Sequence, residues 1–420
     1  MTRLGWATGD GCPYSVLHII SDTNIGGAGI HLLTFLESFD RDKLAVRVLC
    51  PVDSLLISRC QALDVPVFTS HYLAGDRSFG LSGLRGLCRE LGVIVKENNI
   101  SLVHTHASFS GRLAARILGV PCIVYTKHRQ DWNPGGGWVK KQIIALLNRL
   151  TCHHAIAVSE GVRNDLVTGG LPAEKVTLIY NGVDLEKFIE LAGKQDASEF
   201  AGKRVVGMVA RLEPEKGHRH FLEAAALVLS VYPDVVFLVV GTGSLAESLS
   251  DLACSLGIGE QVVFTGFQQN AAGLIKMMDI LVIPSLTEAF GITMVEGMCL
   301  GKPCVASNVG GLAEIAGMDG GKSPEDSTAR LANLRELLNN SMEAHGNETA
   351  GLEGRIACLV PPGDYQCLAA EIRWLLENPE EAKAMGERGA KVAAARFSAK
   401  KTTQEITELY YLLIGDVDDA

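Results

Sequence analysis

Two successive series of short β-branched runs, each alternating with helical stretches, constrain what this chain can fold into. Segments of helical period separate the runs, as at 30–39 and 82–98. Such alternation predicts a parallel sheet with helices on both faces. The strands predicted from the first series are 16–20, 45–50, 66–70, 102–106, 121–126 and 155–159.

The pattern restarts in the second half of the chain, after 175–184 and a polar stretch at 187–203. The restart predicts an α/β chain of two doubly wound, Rossmann-like halves joined near 181–203. Ligands of open α/β sheets bind beyond the carboxyl ends of the strands, so the expected site is a central cleft between two facing halves. The strands predicted from the second series are 205–210, 235–241, 262–266, 280–285, 303–307 and 356–362.

Charge and cysteine usage narrow the class of protein. The net charge of −10 argues against a nucleic-acid-binding surface, which would show a basic excess. No apolar run reaches the roughly 18 residues of a membrane helix, and the first residues lack the apolar core of a signal peptide. The eleven cysteines include no Cys-x-x-Cys pair and are predicted to be reduced. These features predict a cytoplasmic protein.

The segment "SLTEAFGITMVEGMCLG", at 285–301, carries two carboxylates around a predicted helix start. Gly291 lets the backbone approach a ligand, and free amides at a helix start bind anionic phosphate. Glu296, about one turn inside the helix, suits a pair of donor hydroxyls such as a ribose diol. Glu288, before the helix, suits sugar hydroxyls. The alternative is a surface glutamate plus one that interacts with the helix dipole.

The segment "VARLEPEKGHRHFLEAA", at 209–225, places two cations between a buried strand and a helix. Arg211 and Lys216 suit a diphosphate, because arginine binds it by bidentate hydrogen bonds and lysine as a point charge. In the alternative, both cations are solvated or pair with Glu213 and Glu215.

Glycine-rich turns follow two of the predicted strands. Gly26, Gly27 and Gly29 lie between the first strand and the first helix, where backbone amides approach phosphate, although such turns are common. The run at 239–247 matches G-x-G-x-x-A, but no acidic ribose-binding residue follows at the right distance. A nicotinamide cofactor is therefore not expected.

Two histidines end the strand "LVHTH", and their side chains point to the same face. His-x-His can ligate a metal, but the sequence offers no third ligand with suitable spacing. We expect His106 to hydrogen-bond a substrate, and His104 to be packed in the core.

Together these residues resemble the retaining, sugar-nucleotide-dependent glycosyltransferases of family 4, which have the two-domain GT-B fold. The matching motifs occur in the expected order over most of the chain. They are "GGAGIH" at 26–31, "HTH" at 104–106, "YNGVD" at 180–184, "ARLEPEKG" at 210–217, "EAFGITMVE" at 288–296, "VGGLAE" at 309–314 and "LVPPGD" at 359–364.

The resemblance implies a role for each matched residue. Arg211 and Lys216 would hold the donor diphosphate and steady the leaving group. Glu296 would bind the ribose hydroxyls, and Glu288 would contact the transferred sugar, with His106 beside it. The loop at 26–27 would line the cleft from the first domain. The backbone amides implied to hold sugar hydroxyls and phosphate are those of Phe290, Gly291 and Ile292.

The resemblance also implies the domain limits. An acceptor-side domain would span 1–185, a nucleotide-sugar-binding domain 186–398, and a C-terminal helix within 399–420 would cross back to the first domain. The polar segment 318–354 departs from the family pattern and is predicted to be an insertion, a lid or a mobile loop.

The function implied is retaining transfer of a hexose or N-acetylhexosamine from a nucleotide-diphosphate sugar to a glycan or lipid-linked acceptor, in cell-envelope or exopolysaccharide synthesis. No metal or other cofactor is expected, because Arg211 and Lys216 would supply the positive charge. Two alternatives remain open, namely another GT-B sugar-nucleotide enzyme of the 2-epimerase type and a non-catalytic sugar-nucleotide-binding subunit.

A membrane contact is a further expectation for 132–150. Trp132 and Trp138 flank a glycine run, and the helix predicted at 139–150 is basic and amphipathic, as interfacial helices are. In the alternative, its apolar face packs on the sheet. The contact would place the protein at the inner face of the cell membrane, without a membrane-spanning segment.

Overall fold

The computed structural model describes residues 14–73, 80–106, 108–129, 146–193, 200, 202–268, 270–317 and 354–418. The chain divides into two compact units. The N-terminal unit comprises Met1–Gly182 and Ala399–Ala420, and the C-terminal unit comprises Val183–Ser398. Each unit has one parallel sheet with alternating helices, which confirms the predicted α/β class.

The N-terminal unit contains a seven-stranded sheet of order β3-β2-β1-β4-β5-β6-β7. From β1 the chain runs outward to β3, and it then returns to place β4 on the other side of β1. The carboxyl ends of β1 and β4 therefore flank the point where the strand order reverses. The strands are β1 Tyr14–Ile20, β2 Leu44–Pro51, β3 Val67–Ser70, β4 Leu102–His106, β5 Cys122–Lys127, β6 His154–Ala157 and β7 Val176–Leu178.

The helices of this unit include one from the far end of the chain. That helix, Ala399–Asp418 (α14), buries Ile406, Leu409, Tyr410 and Ile414 in the same apolar core as Val16 of β1. The helices are α1 Gly27–Ser38, α2 Leu56–Ala62, α3 Leu81–Glu97, α4 Phe109–Ile117, α5 Glu160–Thr168 and α14 Ala399–Asp418.

The C-terminal unit contains a six-stranded parallel sheet of order β10-β9-β8-β11-β12-β13. Its strand order reverses between β8 and β11, which pair with each other. The strands are β8 Val205–Val209, β9 Val236–Val240, β10 Val262–Gly266, β11 Ile280–Ile283, β12 Cys304–Ser307 and β13 Cys358–Val360. The helices are α6 Leu185–Ala192, α7 His218–Leu229, α8 Ala246–Ser255, α9 Ala271–Met277, α10 Ile292–Cys299, α11 Gly310–Ala316, α12 Tyr365–Glu377 and α13 Pro379–Arg396.

Two predicted segments lie mainly outside the described residues. The insertion expected at 318–354 is described only at Gly354, and Trp132 and Trp138 also lie outside. Of the helix predicted at 139–150, residues 146–150 are described and are helical. Among the helices of the described part, none has the length and apolar character needed to cross a membrane. No disulfide joins the described cysteines.

Candidate active site

The C-terminal unit gathers four of the predicted site residues near the reversal point of its sheet. Arg211 and Lys216 follow β8, and Glu288 follows β11. Glu296 lies in the second turn of α10, the helix that follows the Glu288 loop. Because β8 and β11 are adjacent and parallel, their carboxyl ends open on the same edge of the sheet, where ligands of doubly wound sheets bind.

Two close backbone contacts fix the position of Lys216. Lys216 ends a short 3₁₀ helix, Pro214–Lys216, and the amide of Leu286 donates to the carbonyl of Glu215 at 2.8 Å. Gly217 has φ 75°, and a Cβ placed there would lie 1.9 Å from the carbonyl oxygen of Pro284. A glycine is therefore required where the loop after β8 crosses the end of β11.

Lys216 and Glu288 form a direct ion pair. Lys216 Nζ lies 2.7 Å from Glu288 Oε2, and Ser285 Oγ donates to the same oxygen at 3.3 Å. The two side chains are only 19% and 18% exposed, which limits screening of the pair by solvent. The sequence placed both residues at the site without predicting that they touch.

The other charged groups of the same loop differ in their surroundings. Arg211 is 63% exposed and forms a surface ion pair with Glu215 at 3.3 Å, as the alternative interpretation had it. Glu213 instead accepts hydrogen bonds from the amide and hydroxyl of Ser244. Arg211 is thus an exposed side chain in a surface ion pair, whereas Lys216 is a largely buried side chain whose position is fixed by the carboxylate of Glu288.

The turn before α10 is packed so closely that its backbone has little freedom. Gly291, with φ 106°, is the N-cap residue of α10, and a Cβ there would lie 2.5 Å from the side chain of Leu312. The amide of Gly311 donates to the carbonyl of Glu288 at 3.1 Å, which holds α11 against this turn. Within the described residues, the amides of Gly291 and Ile292 donate to no protein acceptor. Both amides therefore lack a protein partner in this part of the described chain.

For the Glu296 carboxyl, burial is the one influence on its pKa, with no hydrogen-bond donor contributing among the described residues. Desolvation by burial raises its pKa to about 7. The group is therefore about half ionised at neutral pH, and a ligand that donates to its oxygens would favour the ionised form.

In the N-terminal unit, the glycine turn lies at the carboxyl end of β1. Gly26 is the N-cap residue of α1, and it has φ −95° and no atom within 4 Å of an added Cβ. Neither backbone conformation nor packing of the described residues therefore requires glycine at this position.

The carboxyl ends of β1, β4 and β5 bring together histidines that the sequence analysis did not connect. His104 is fully buried, with Nδ1 bonded to the hydroxyl of Tyr410 and Nε2 lying 2.6 Å from Thr126 Oγ1. His106 is 1% exposed, and both of its ring nitrogens are engaged by other histidines. Its Nε2 lies 3.0 Å from His18 Nδ1, and its Nδ1 lies 3.1 Å from His128 Nε2.

A fifth histidine, His31 of α1, lies against the rings of His106 and His128. Burial lowers the pKa of His31 to about 4 and that of His18 to about 3, and it lowers the pKa values of His104, His106 and His128 well below their usual range. The five rings are thus neutral at physiological pH. The cluster could have been predicted from the sequence by one pattern. A histidine lies on or just after each of three neighbouring strands, β1, β4 and β5.

Two family models match the chain. "Glycosyltransferase Family 4" matches residues 25–187, and "Glycosyl transferases group 1" matches residues 193–350. The two matches together cover most of the sequence. The chain therefore belongs to the family 4 glycosyltransferases, which have the GT-B fold.

Individual relatives agree with this assignment. The UDP-Gal:alpha-D-GlcNAc-diphosphoundecaprenol alpha-1,3-galactosyltransferase of Escherichia coli is 31% identical over 260 residues, covering 54% of this chain and 65% of the relative. The putative glycosyltransferase EpsF of Bacillus subtilis is 28% identical, covering 70% of this chain and 79% of the relative. The crystal structure of Anabaena HepE in complex with UDP and glucose superimposes with a TM-score of 0.74, at 21% identity, covering 94% of this chain and 99% of HepE. That likeness supports the fold.

Proposed function

We propose that this protein is a retaining glycosyltransferase that moves a hexose or an N-acetylhexosamine from a nucleotide-diphosphate sugar to a glycan or lipid-linked acceptor in envelope or exopolysaccharide synthesis. The observation that carries the proposal is the set of groups around the end of β11 and the start of α10. This set consists of the ion pair between Lys216 and Glu288, the amides of Gly291 and Ile292, and the carboxyl of Glu296 with its raised pKa.

Each group matches one part of such a donor. The ammonium of Lys216 has three N–H donors, so it can keep one hydrogen bond to Glu288 while another reaches a phosphate oxygen. Arg211 is exposed and forms a surface ion pair with Glu215, so its side chain can turn toward the second phosphate. Glu296 accepts from the ribose hydroxyls, and Glu288 accepts from hydroxyls of the transferred sugar.

Retention of configuration is best explained by attack from the side on which the leaving group departs. The acceptor oxygen bonds to the anomeric carbon while the bond from that carbon to the diphosphate oxygen breaks. The bonding electrons go to the diphosphate, and the departing phosphate takes the proton of the acceptor hydroxyl. The protein contributes positioning of both substrates and positive charge at the leaving group.

Donor hydrolysis in the absence of acceptor tests the proposal. UDP-sugars are the first candidates, since the Escherichia coli relative is named for UDP-Gal and HepE was solved with UDP. Release of free sugar and nucleoside diphosphate from one or more sugar nucleotides supports a transferase. Conversion of the donor to its 2-epimer indicates the epimerase alternative, and binding without any turnover indicates a non-catalytic subunit.

We expect activity to persist after the protein is treated with EDTA. Lys216 and Arg211 provide the charge that a divalent metal provides in other sugar-nucleotide enzymes, so chelation removes nothing that the reaction needs. Initial rates measured with EDTA, and with added magnesium or manganese, check this. An absolute requirement for either metal would contradict the proposed role of the two cations.

The acceptor side of the proposal includes a peripheral membrane contact. Residues 146–150 are helical, and they expose Leu146 (57%), Leu147 (36%) and Leu150 (54%) beside the exposed Arg149. The described end of the predicted amphipathic helix therefore does not pack these leucines on the sheet. Exposed leucines next to basic residues suit the interface of an anionic bilayer, where a lipid-linked acceptor is presented.

Sedimentation with anionic vesicles at low salt checks the contact. Replacing Leu146 and Leu150 together by glutamine should weaken binding by about tenfold or more, since burial of one leucine contributes about 1.5–3 kcal/mol. The matched control replaces Leu81 and Leu412, which are also exposed in the N-terminal unit, and should leave binding unchanged.

A second variant isolates the basic residues. Changing Lys140 and Lys141 to glutamate should also weaken binding, by at least about 1 kcal/mol for each charge removed. Absence of vesicle binding by the wild-type protein, or equal binding by all variants, would rule the contact out.

A further inference from the structure

The cluster of His31, His106 and His128 has the composition and spacing of a metal site. One ring nitrogen of each histidine lies within 4.8 Å of the corresponding nitrogens of the other two. His31 and His106 are 3% and 1% exposed, and His128 is partly buried. We propose that this cluster binds one zinc ion, with the fourth position taken by water, and that the bound ion inhibits the enzyme.

The separation of the rings already approaches the geometry that zinc requires. Zn–N bonds of about 2.0–2.1 Å at the tetrahedral angle place two ligand nitrogens about 3.3 Å apart. His106 Nδ1 and His128 Nε2 lie 3.1 Å apart and share one hydrogen. Exchange of that hydrogen bond for a metal ion keeps the separation of the two nitrogens and turns each ring so that its lone pair points at the ion.

The third ligand is available because His31 has an unsatisfied nitrogen. Its Nε2 is buried, and among the described residues it has no hydrogen-bond partner. A buried nitrogen without a partner costs free energy, and a bond to a metal would remove that cost. All three imidazoles are neutral, which is the form that ligates zinc, so binding releases no proton.

A second triad in the same cluster is a poorer site. His18, His104 and His106 also meet the distance criterion for a metal. Both ring nitrogens of His104, however, are bonded to hydroxyl groups, those of Tyr410 and Thr126. A metal there would leave one of two buried hydroxyls without its partner, whereas the site at His31 removes an unsatisfied group.

Zinc at this site would fix which nitrogen of the His106 ring carries the proton. With Nδ1 of His106 bound to the metal, its proton moves to Nε2 and is donated to Nδ1 of His18, 3.0 Å away. His18 would thus be the outer partner that orients a ligating histidine. The family resemblance implies that His106 lies beside the transferred sugar, and on that implication, which belongs to the proposed function, an ion bound to His106 lowers turnover and its removal restores turnover.

Cobalt substitution tests the site without any substrate, so its result does not depend on the proposed transferase activity. The purified protein, freed of metal by a chelator, is titrated with Co²⁺ and then with Zn²⁺. We expect one equivalent of Co²⁺ to give the visible absorption of a four-coordinate nitrogen site, and Zn²⁺ to remove that absorption. Octahedral Co²⁺, or a thiolate charge-transfer band from cysteine ligands, would overturn the proposal.

Variants assign the ligands. His31→Asn and His128→Asn should each weaken zinc binding by at least about tenfold, since even loss of a group that only supports a ligand costs about 10–100-fold. His18→Asn keeps a hydrogen-bond acceptor near His106 and should bind zinc nearly as wild type. His154→Asn, at a histidine of the same sheet outside both triads, is the matched control. Loss of binding in the His18 variant with retention in the His128 variant would assign the ion to the other triad and refute this proposal.

Inhibition is measured separately. With wild-type protein, transfer or donor hydrolysis should fall as zinc is added and recover fully when EDTA is added. Zinc that binds as expected but leaves turnover unchanged would refute the inhibitory role.

Discussion

Replacement of Lys216 by alanine is expected to lower the rate of sugar transfer by about 100- to 1,000-fold, which is the usual effect of removing one preorganised group that stabilises developing charge. Lys216 is the better-fixed cation of the site, because Glu288 holds its ammonium at 2.7 Å and little of the pair is exposed. The loss should appear mainly in kcat, since negative charge on the leaving diphosphate develops in the transition state. Steady-state kinetics with a sugar-nucleotide donor measure it.

Arg219 offers a matched control for this variant. It is a cation three residues further along the chain, exposed and paired with Glu223 within α7. Arg219→Ala should change kcat by less than about twofold, because surface ion pairs contribute little. A similar loss of kcat in the Lys216 and Arg219 variants would indicate a general effect of removing positive charge, and not a specific role of Lys216 in the active site.

The partner of Lys216 should respond differently from the lysine itself. Glu288→Gln keeps the shape of the side chain but removes its charge. Lys216 then loses the carboxylate that holds it in place, and the sugar loses a strong hydrogen-bond acceptor. We expect kcat to fall by about tenfold or more, equivalent to about 1.4 kcal/mol in the barrier, with a smaller change in donor affinity. Unchanged turnover in this variant would contradict the placement of Glu288 at the transferred sugar.

Donor affinity is expected to rise with pH through about 7 and to lose this dependence in Glu296→Gln. Burial raises the pKa of Glu296 to about 7, so below that pH the carboxyl is mostly protonated and is a weaker acceptor for two hydroxyls. A bound ribose diol favours the ionised form, so affinity should fall by up to about tenfold for each pH unit below the pKa. Calorimetric titration with an intact sugar nucleotide between pH 5.5 and 8.5 measures the effect.

A donor analogue without ribose hydroxyls separates Glu296 from other titrating groups. The dideoxyribose form should bind wild type and Glu296→Gln alike at every pH. For the natural donor, the variant should bind about 10- to 100-fold more weakly at pH 8.5, since hydrogen bonds to charged groups are worth about 1.5–3 kcal/mol. A pH dependence that persists in Glu296→Gln would assign it to a different group.

The same substitution should stabilise the fold at high pH. The carboxyl binds its proton more tightly in the folded protein than in the unfolded chain, so folding loses stability as pH rises from about 4.5 to about 7. Glutamine does not ionise and escapes this loss. The unfolding midpoint of Glu296→Gln should therefore exceed that of wild type above pH 7 and approach it near pH 4.

The strands were the most predictable part of the fold. Those predicted at 102–106 and 262–266 match β4 and β10 at both ends, because both segments contain the β-branched residues that favour strands. The repetition of strand and helix also predicted two similar halves. These features depend on short stretches of chain, which a single sequence displays directly.

The contacts within the site were less predictable, because they join distant segments. Lys216 and Glu288 are 72 residues apart, and only the adjacency of β8 and β11 brings them together. The histidine cluster depends on the register that sets His18 opposite His104, and on α1, whose Phe35 and His31 contact His18 and His106. The raised pKa of Glu296 arises from burial around α10, and no local pattern distinguishes it from an exposed helical glutamate.

The position of α14 determines when the N-terminal unit can be completed during synthesis. This unit lacks Ile406, Leu409 and Tyr410 from its core, and His104 lacks its bond to the tyrosine hydroxyl, until the whole of Val183–Ser398 has been translated. At about 5–20 residues per second, that delay is on the order of tens of seconds. The C-terminal unit is continuous in sequence and can therefore fold first. Until α14 is made, the N-terminal unit exposes the part of its apolar core that this helix covers.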